Sequence, residues 1–327
     1  MRFLVTGGAG FIGSNIVEEL LRRGHSVRVL DNFSTGKRKN LAEFEKDIHL
    51  IDGDIRNYHI VNNAVKGIEV ILHQAALPSV PRSIADPITS NQVNIDGTLN
   101  ILEAARDNNV RRIVFASSSS VYGDTPGLPK HEDMAVNPLS PYAVSKLAGE
   151  KYCSVYSGNY GVETVALRYF NVFGPRQDPR SQYSAVIPKF ISAMLCNQQP
   201  VIFGDGETSR DFTFVSNVAE ANILSSNGER NGAVVMNCAT HGSISLNELV
   251  NKINKILGKN ITPVYREFRK GDIRHSYADI TRAELLINYK PAVTFEEGLR
   301  RTVNYYEQQL HHGKTPEEAS YLHPAEK

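Results

Sequence analysis

Six short apolar runs, "RFLVT", "SVRVLD", "IHLIDGD", "EVILHQA", "RIVFASS" and "ETVALRYF", are spaced through the first half of the chain, with segments of helical period between them. Between the first two, Ile12, Ile16, Val17, Leu20 and Leu21 fall on one stripe of a helix from Phe11 to Arg23. Strands alternating with helices specify an α/β fold, a doubly wound parallel sheet with helices on both faces, whose ligands bind beyond the carboxyl ends of the strands. After about Asn171 the alternation loosens into Pro-, Gly- and Arg-rich sequence with shorter elements such as Leu246 to Leu257. The expected division is a first domain over 1–170 with a returning segment at about 210–238, a smaller interleaved domain over 171–209 and 239–312, and a polar tail over 313–327.

At 327 residues and 41% hydrophobic content the chain has ample material for a core. Lys+Arg 36 against Asp+Glu 35 gives a net charge of +1, so no global field draws nucleic acid or an anionic membrane, and any anionic ligand must be held locally. Cys153, Cys196 and Cys238 form no C-x-x-C pattern, which suits core thiols in a reducing compartment and argues against a metal site. The chain opens directly as a strand with no apolar leader, and no run of ~18 apolar residues occurs, so a cytoplasmic protein without a membrane span is expected.

"TGGAGFIG" sets Gly7, Gly10 and Gly13 between the first strand and the helix beginning at Phe11 and Ile12. Glycines permit a tight turn, and the helix N-terminus offers free N–H groups to a diphosphate. The second strand ends in Asp31 and Asn32, where an acid meets ribose hydroxyls and repels a 2′-phosphate, favouring NAD over NADP. Lys37, Arg38 and Lys39 follow and read as a solvated surface run. Asp54 and Ile55, after the third strand, would cap an adenine, although spacing alone equally fits a simple turn.

In "SPYAVSK", Tyr142 and Lys146 lie one helical turn apart on one face. An ammonium beside a phenol lowers its pKa, which makes a general base, but the same pair also arises by chance on amphipathic helices. The fifth strand runs into four serines, Ser117 to Ser120, at the carboxyl edge of the sheet, close enough to form a Ser/Tyr/Lys set.

With "TGGAGFIG", "HQAA", "NIDGTLNILEAAR", "SSSSVYG", "SPYAVSK", "LRYFNVFGPRQ", "RDFTFV" and "RKGDIRHSYAD" in order, nearly the whole chain resembles the extended short-chain dehydrogenase family of nucleotide-sugar enzymes, with a Rossmann-type first domain. The resemblance implies Tyr142 as base, Lys146 as the group that lowers its pKa and holds the nicotinamide ribose, and Ser118 as a partner of the sugar O4, with Ser119 and Ser120 nearby. It implies Gln74, Ala75, Ala76 and Ser117 beside NAD, Tyr169 and Phe170 near the nicotinamide, and Asn94 steadying the helix that follows it. It implies Asn171 at the substrate diphosphate, Ala185 and Val186 at uracil, Arg210 and Arg269 as diphosphate clamps, and Asp272 close by. An isolated surface ion pair is the plain alternative for either arginine. The family's Asp in "V-x-D-V" is Asn217 here, read as a helix cap. A homodimer built on the helices around Gly97 to Asp107 and Tyr142 is expected through Leu99, Ile101, Leu102, Ala105, Leu147 and Ala148, unless these pack within the chain.

Dehydratases of the family carry Thr-Asp-Glu at the positions of Ser118 to Ser120, and decarboxylases keep a Glu at Ser120; neither pattern is present. What remains is 4-epimerisation. Family members restricted to unmodified hexoses place a tyrosine at the position of Ser276, so a serine implies room for an acetamido group, with Ser79 and Ser83 as further contacts in that wall. The reading is interconversion of UDP-GlcNAc and UDP-GalNAc, with UDP-Glc as a poorer substrate. The alternatives are a UDP-glucose 4-epimerase or a UDP-uronic acid 4-epimerase in which Arg82 and His275 meet a carboxylate. A non-catalytic NAD-binding regulator is disfavoured because Tyr142 and Lys146 are both kept.

Overall fold

The computed structural model describes residues 1–179, 185–228, 232–268 and 274–312. The chain begins with β1 (Arg2–Thr6), α1 (Phe11–Arg22), β2 (Ser26–Asp31), β3 (Ile48–Asp52), α2 (Tyr58–Val65) and β4 (Val70–His73). It continues through α3 (Val80–Ala85), α4 (Pro87–Asn91), a π-helical turn (Gln92–Asp96), α5 (Gly97–Asp107), β5 (Arg112–Ser118), α6 (Pro141–Tyr160) and β6 (Glu163–Tyr169). The second half carries β7 (Val172–Phe173), α7 (Val186–Leu195), β8 (Val201–Phe203), β9 (Ser209–Arg210), β10 (Thr213–Phe214), α8 (Val215–Ser225) and β11 (Ala233–Cys238). It closes with β12 (Ile244–Ser245), α9 (Leu246–Leu257), β13 (Val264–Arg266), β14 (His275–Ser276), α10 (Thr281–Ile287) and α11 (Phe295–His312).

Seven strands form one parallel sheet in the order β11-β6-β5-β4-β1-β2-β3. Strand order reverses between β1 and β4, which opens a crevice at their carboxyl ends. Strand alternation sends Phe3 and Val5 into the core shared with α1 and α8, and Leu4 into the core shared with α2, α5 and α6; all three are fully buried. Both faces of the sheet are therefore apolar, as a parallel sheet requires.

A third core gathers Phe173, Phe190, Met194, Phe214, Leu249, Leu299 and Tyr306, from β7, α7, β10, α9 and α11. α9 is closed at its start by a capping box, with Ser245 accepting from the Glu248 N–H and the Glu248 carboxylate accepting from the Ser245 N–H. Asn217 corrects its expected role. It lies inside α8 and exchanges two hydrogen bonds with the Val293 backbone, donating to its carbonyl (2.8 Å) and accepting from its N–H (3.0 Å), which an ionised Asp could not do. Ile101, Leu102 and Ala105 pack wholly within the chain, and Leu99 and Leu147 partly so.

Candidate active site

The turn after β1 is shaped by what a side chain would strike. Gly7 has φ +67°, and a Cβ there would lie 2.7 Å from Ala75, across the crevice at the end of β4. A Cβ on Gly13 would lie 2.1 Å from the Gly7 carbonyl oxygen. Gly10 begins α1 without a side-chain cap, so the N–H groups of the first turn, at Phe11, Ile12 and Gly13, have no partner from the helix itself. The N-terminal end of the helix macrodipole thus faces the crevice, a fit for a diphosphate. The side chains of Phe11 and Ile12 pack into the cores, leaving only their backbones to this role.

Asp31 is buried at the end of β2, accepting from the N–H groups of Ala9 (2.9 Å) and Phe33 (2.8 Å). Burial pushes its pKa up and those two donors pull it down, with burial winning. A Cβ on Gly36 would come within 2.9 Å of both carboxylate oxygens, so glycine there leaves the acid approachable. Asn32 donates to Asp54 (2.9 Å), and the Arg56 guanidinium holds the Asp54 carboxyl at about 2. Ile55 differs from expectation: its side chain belongs to the core against Gly97, because the turn after β3 points it inward. Arg38 and Lys39 are exposed, as a surface run should be, with Arg38 paired to Asp52 (2.5 Å) and 4.0 Å from the centroid of the Phe33 ring, while Lys37 is half-buried and pairs with Asp178.

β4 and β6 bring Gln74 and Tyr169 together. The Tyr169 hydroxyl donates to Gln74 (3.0 Å) and accepts from Asn222 (2.8 Å), while Gln74 donates to Asn222 (3.1 Å). Asn222 went unnoticed in the sequence because its signal is spatial. Phe170 is wholly buried beside Tyr122. Ala75 donates its N–H to the Thr6 hydroxyl (3.2 Å), and Ala76 is half-buried beside it. The Ser117 side chain is engaged inside the protein: its hydroxyl donates to Glu150 (2.6 Å), which grips Arg168 at 2.8 Å through both oxygens, so alternation along β5 turns it toward α6.

At the start of α6, Ser140 caps the helix and Pro141 fixes its first turn. Ser118 lies within reach of the Tyr142 hydroxyl and favours its anion, and its own oxygen accepts from Ser120 (2.9 Å). Ser119 is half-buried alongside. Lys146 departs from expectation. Its ammonium donates to the Ala116 carbonyl (2.7 Å) and lies 5.9 Å from the Tyr142 ring centroid. Within the protein's own groups burial therefore raises the Tyr142 pKa, opposed by the Ser118 hydrogen bond, and burial brings Lys146 down to about 8.

Around this pair lie partners that local sequence does not reveal. Ser83, expected at the substrate, instead accepts from the Tyr142 N–H (3.0 Å) and donates to Val80 (2.8 Å). Asn94, in the π-helical turn, bonds both backbone groups of Leu77 and donates to Ser145 (3.1 Å). His73, driven to about 3 by burial and then by the Lys146 charge, stays neutral between Thr6 (2.7 Å) and Thr98 (3.0 Å). Thr98 donates to the Asn94 carbonyl, so it accepts from His73 Nε2.

In the second half, Arg210 and Ser276 stand opposite each other where β9 pairs with β14, and Asp211 donates its N–H to the Ser276 carbonyl (2.8 Å). Asn171, at φ +34°, donates to the Asp211 carbonyl (3.0 Å). Ala185 is exposed at the start of α7, and Val186 packs partly into the third core. Ser79 caps α3 through Arg82, and His275 bonds Ser209 (2.9 Å). A cavity of about 630 Å³ is lined by Phe203, Tyr265, Arg266 and Glu267, none of which the sequence reading picked out. Arg269, Asp272 and the tail 313–327 lie outside the described residues. Among the described residues no cluster of metal-binding side chains occurs, and no helix is long and apolar enough to cross a membrane.

Comparison with known proteins agrees with this geometry. A family model described as NAD dependent epimerase/dehydratase family matches residues 3–239. The UDP-glucose 4-epimerase of Mycolicibacterium smegmatis is 40% identical over 310 residues, covering 94% of this chain and 98% of that protein. The structure of a UDP-N-acetylglucosamine 4-epimerase from Methanobrevibacter ruminantium in complex with UDP-N-acetylmuramic acid superposes with a TM-score of 0.90 at 44% identity, covering 94% of this chain and 98% of that one. A UDP-glucuronic acid 4-epimerase from Bacillus cereus, solved with UDP-glucuronic acid and NAD, gives 0.87 at 34%, covering 94% and 99%. With a glycine turn after β1, a buried acid at the end of β2, and Ser118, Tyr142 and Lys146 at the sheet edge, the chain belongs to the NAD dependent epimerase/dehydratase family.

Proposed function

We propose that this enzyme is a UDP-sugar 4-epimerase that interconverts UDP-N-acetylglucosamine and UDP-N-acetylgalactosamine through a transient 4-keto sugar, and turns over UDP-glucose more slowly. Residues 1–170 with the returning segment 210–238 hold NAD, and 171–209 with 239–312 hold the nucleotide sugar. Tyr142 removes the proton from O4 while Ser118 donates to the same oxygen region and orients it. Bound NAD would supply the hydride acceptor and donor for carbon 4 of the sugar, so that no net oxidation remains. Burial holds the Tyr142 pKa up within the protein's own groups, and Lys146, one helical turn away, is the cation that would favour the anion on turning from the Ala116 carbonyl.

Asn171 and Arg210 contact the diphosphate, with Ala185 and Val186 at the base. A planar guanidinium suits that role because it forms paired hydrogen bonds to phosphate oxygens. A homodimer working in the cytoplasm fits the three free cysteines and the exposed apolar side chains Val144 and Val155 on α6.

The observation that carries the choice of substrate is Ser276, a small side chain in register with Arg210. If its size leaves space for the acetamido group in one sugar orientation, Ser276→Tyr closes that space by steric exclusion. Turnover of UDP-GlcNAc then collapses while that of UDP-glucose persists. Parallel steady-state kinetics on UDP-GlcNAc, UDP-glucose and UDP-GlcNAcA decide the matter. An unchanged ratio of specificity constants in the variant, or a parent that favours the uronate, defeats this reading.

A further inference from the structure

Asn237, at the carboxyl end of β11, is fully buried and uses both polar atoms of its side chain. Its side-chain nitrogen donates to the carbonyls of Lys130 (2.9 Å) and Asp279 (2.9 Å). Its side-chain oxygen accepts from the Tyr122 hydroxyl (2.8 Å), and its backbone N–H donates to Glu132 (2.7 Å). These partners come from two places that matter to the site. Tyr122 closes the 3₁₀ turn that Ser118 caps, and Asp279 follows the strand that carries Ser276.

Lys130 extends the same connection. Its N–H donates to the Tyr277 carbonyl (2.9 Å), and its carbonyl accepts from the Asp279 N–H (2.9 Å), forming a parallel bridge at Ala278. On its other side the strand is bonded to Asp211, whose N–H reaches the Ser276 carbonyl (2.8 Å) and whose buried carboxylate accepts from the Ala278 N–H (3.3 Å). The segment 276–279 is therefore gripped from both sides. One grip leads to Arg210, and the other leads through Asn237 to the turn at Ser118.

We propose that Asn237 is a positioning residue for substrate choice, because it sets the spacing between the Ser118–Tyr142 pair and the wall carrying Ser276. The proposal rests on the reading of Ser276 given above. An amide is required at this point, since two carbonyls need a donor and one hydroxyl needs an acceptor, and no other side chain of this size supplies both. Loss of the donors releases the wall on its inner side, and the sugar whose C2 substituent packs there suffers most.

The test uses the purified, NAD-loaded full chain and compares kcat/KM for UDP-GlcNAc and UDP-glucose. Asn237→Asp keeps the shape and removes both donors; Tyr122→Phe removes one bond and keeps the ring. Asn237→Asp should lower the specificity constant for UDP-GlcNAc about tenfold more than that for UDP-glucose, and Tyr122→Phe about threefold more, with bound NAD per chain unchanged. If Asn237→Asp fails to fold, Tyr122→Phe decides alone. A ratio within twofold of the parent in the folded variants overturns the role of Asn237. A parent inert toward UDP-GlcNAc overturns instead the substrate reading on which the proposal rests.

Discussion

A tyrosine becomes a base only where something favours its anion, and around Tyr142 the protein's own groups are divided. Burial opposes ionisation, Ser118 assists it, and the Lys146 ammonium is committed to a backbone carbonyl. The Tyr142→Phe variant should retain NAD, because the ring and its packing survive, and lose turnover by a factor on the order of 10²–10⁴. Activity within tenfold of the parent, with NAD content measured on the same sample, would remove Tyr142 from the role of base. Lys146 leads to a prediction about stability. Its pKa in the folded chain is about 8 against an ordinary 10.5, so the unfolded chain binds the extra proton between those values. Stability from this group is lowest below about 8 and recovers as pH rises toward 10.5. Lys146→Met should therefore raise the melting temperature at pH 7, by a net gain on the order of 1 kcal/mol after loss of the Ala116 hydrogen bond, and the gain should shrink by pH 10. A gain equal at both pH values would show that the charge is not the source. The same variant should shift the pH optimum of any residual turnover upward.

The catalytic helix is held at its first turn by contacts from distant parts of the chain. The Ser83 hydroxyl takes the Tyr142 N–H, one of the donors that a helix start leaves without an internal partner, and Asn94 ties Ser145 to Leu77. Asn94 sits in a π-helical turn, the kind of local irregularity that recurs at functional sites. Ser83→Ala should cost about 1 kcal/mol in stability and lower kcat more than it raises KM, because it loosens the base and not the substrate contacts. A variant that changes KM alone would return Ser83 to the substrate wall where the sequence reading put it. That misplacement shows what sequence can and cannot convey. The strands, the glycine turn and the Tyr142/Lys146 spacing are local patterns, and the structure reproduces them as elements. Ser83 and Tyr142 are 59 positions apart, and nothing in either neighbourhood encodes their meeting. The inward turn of the Ser117 and Ile55 side chains was illegible for a related reason. Each lies on a segment at the correct edge of the sheet, but alternation or the curve of a turn sends its side chain into the protein. Asn217 failed because a residue type that often caps helices was already inside one.

At the scale of the molecule, one place where the two halves of the chain meet is α1, against the segment Pro175–Asp178. Asn15 on α1 donates to the Pro175 carbonyl (3.2 Å), and Arg176 pairs with Glu18 on the same helix (2.7 Å) while its guanidinium lies 5.4 Å from the Phe44 ring centroid. Asp178 pairs with Lys37, in the loop just past Asp31, and the Gln177 carbonyl accepts from Tyr306 on α11. The segment thus ties α1 and the loop after Asp31 to the second half. With NAD held as proposed, against the start of α1 and Asp31, a release path past this segment would loosen those contacts. Ion pairs with a third or more of their surface in water contribute little each, about 0.2–1 kcal/mol. Breaking one should therefore speed NAD dissociation only about two- to fivefold, without altering substrate choice. Asp178→Asn and Lys37→Met should each produce that acceleration, measured by dilution of NAD-loaded enzyme into an NAD-scavenging system. Exchanging the charges, with Lys37→Asp and Asp178→Lys together, should recover most of the parent's slow release while either reversal alone should not. The single reversals are the informative outcome, because two residues that merely tune local charge would move release in opposite directions when reversed one at a time, whereas a broken pair speeds it in both. Identical release rates in the parent and every one of these variants would mean that the cofactor leaves by a route this segment does not cover.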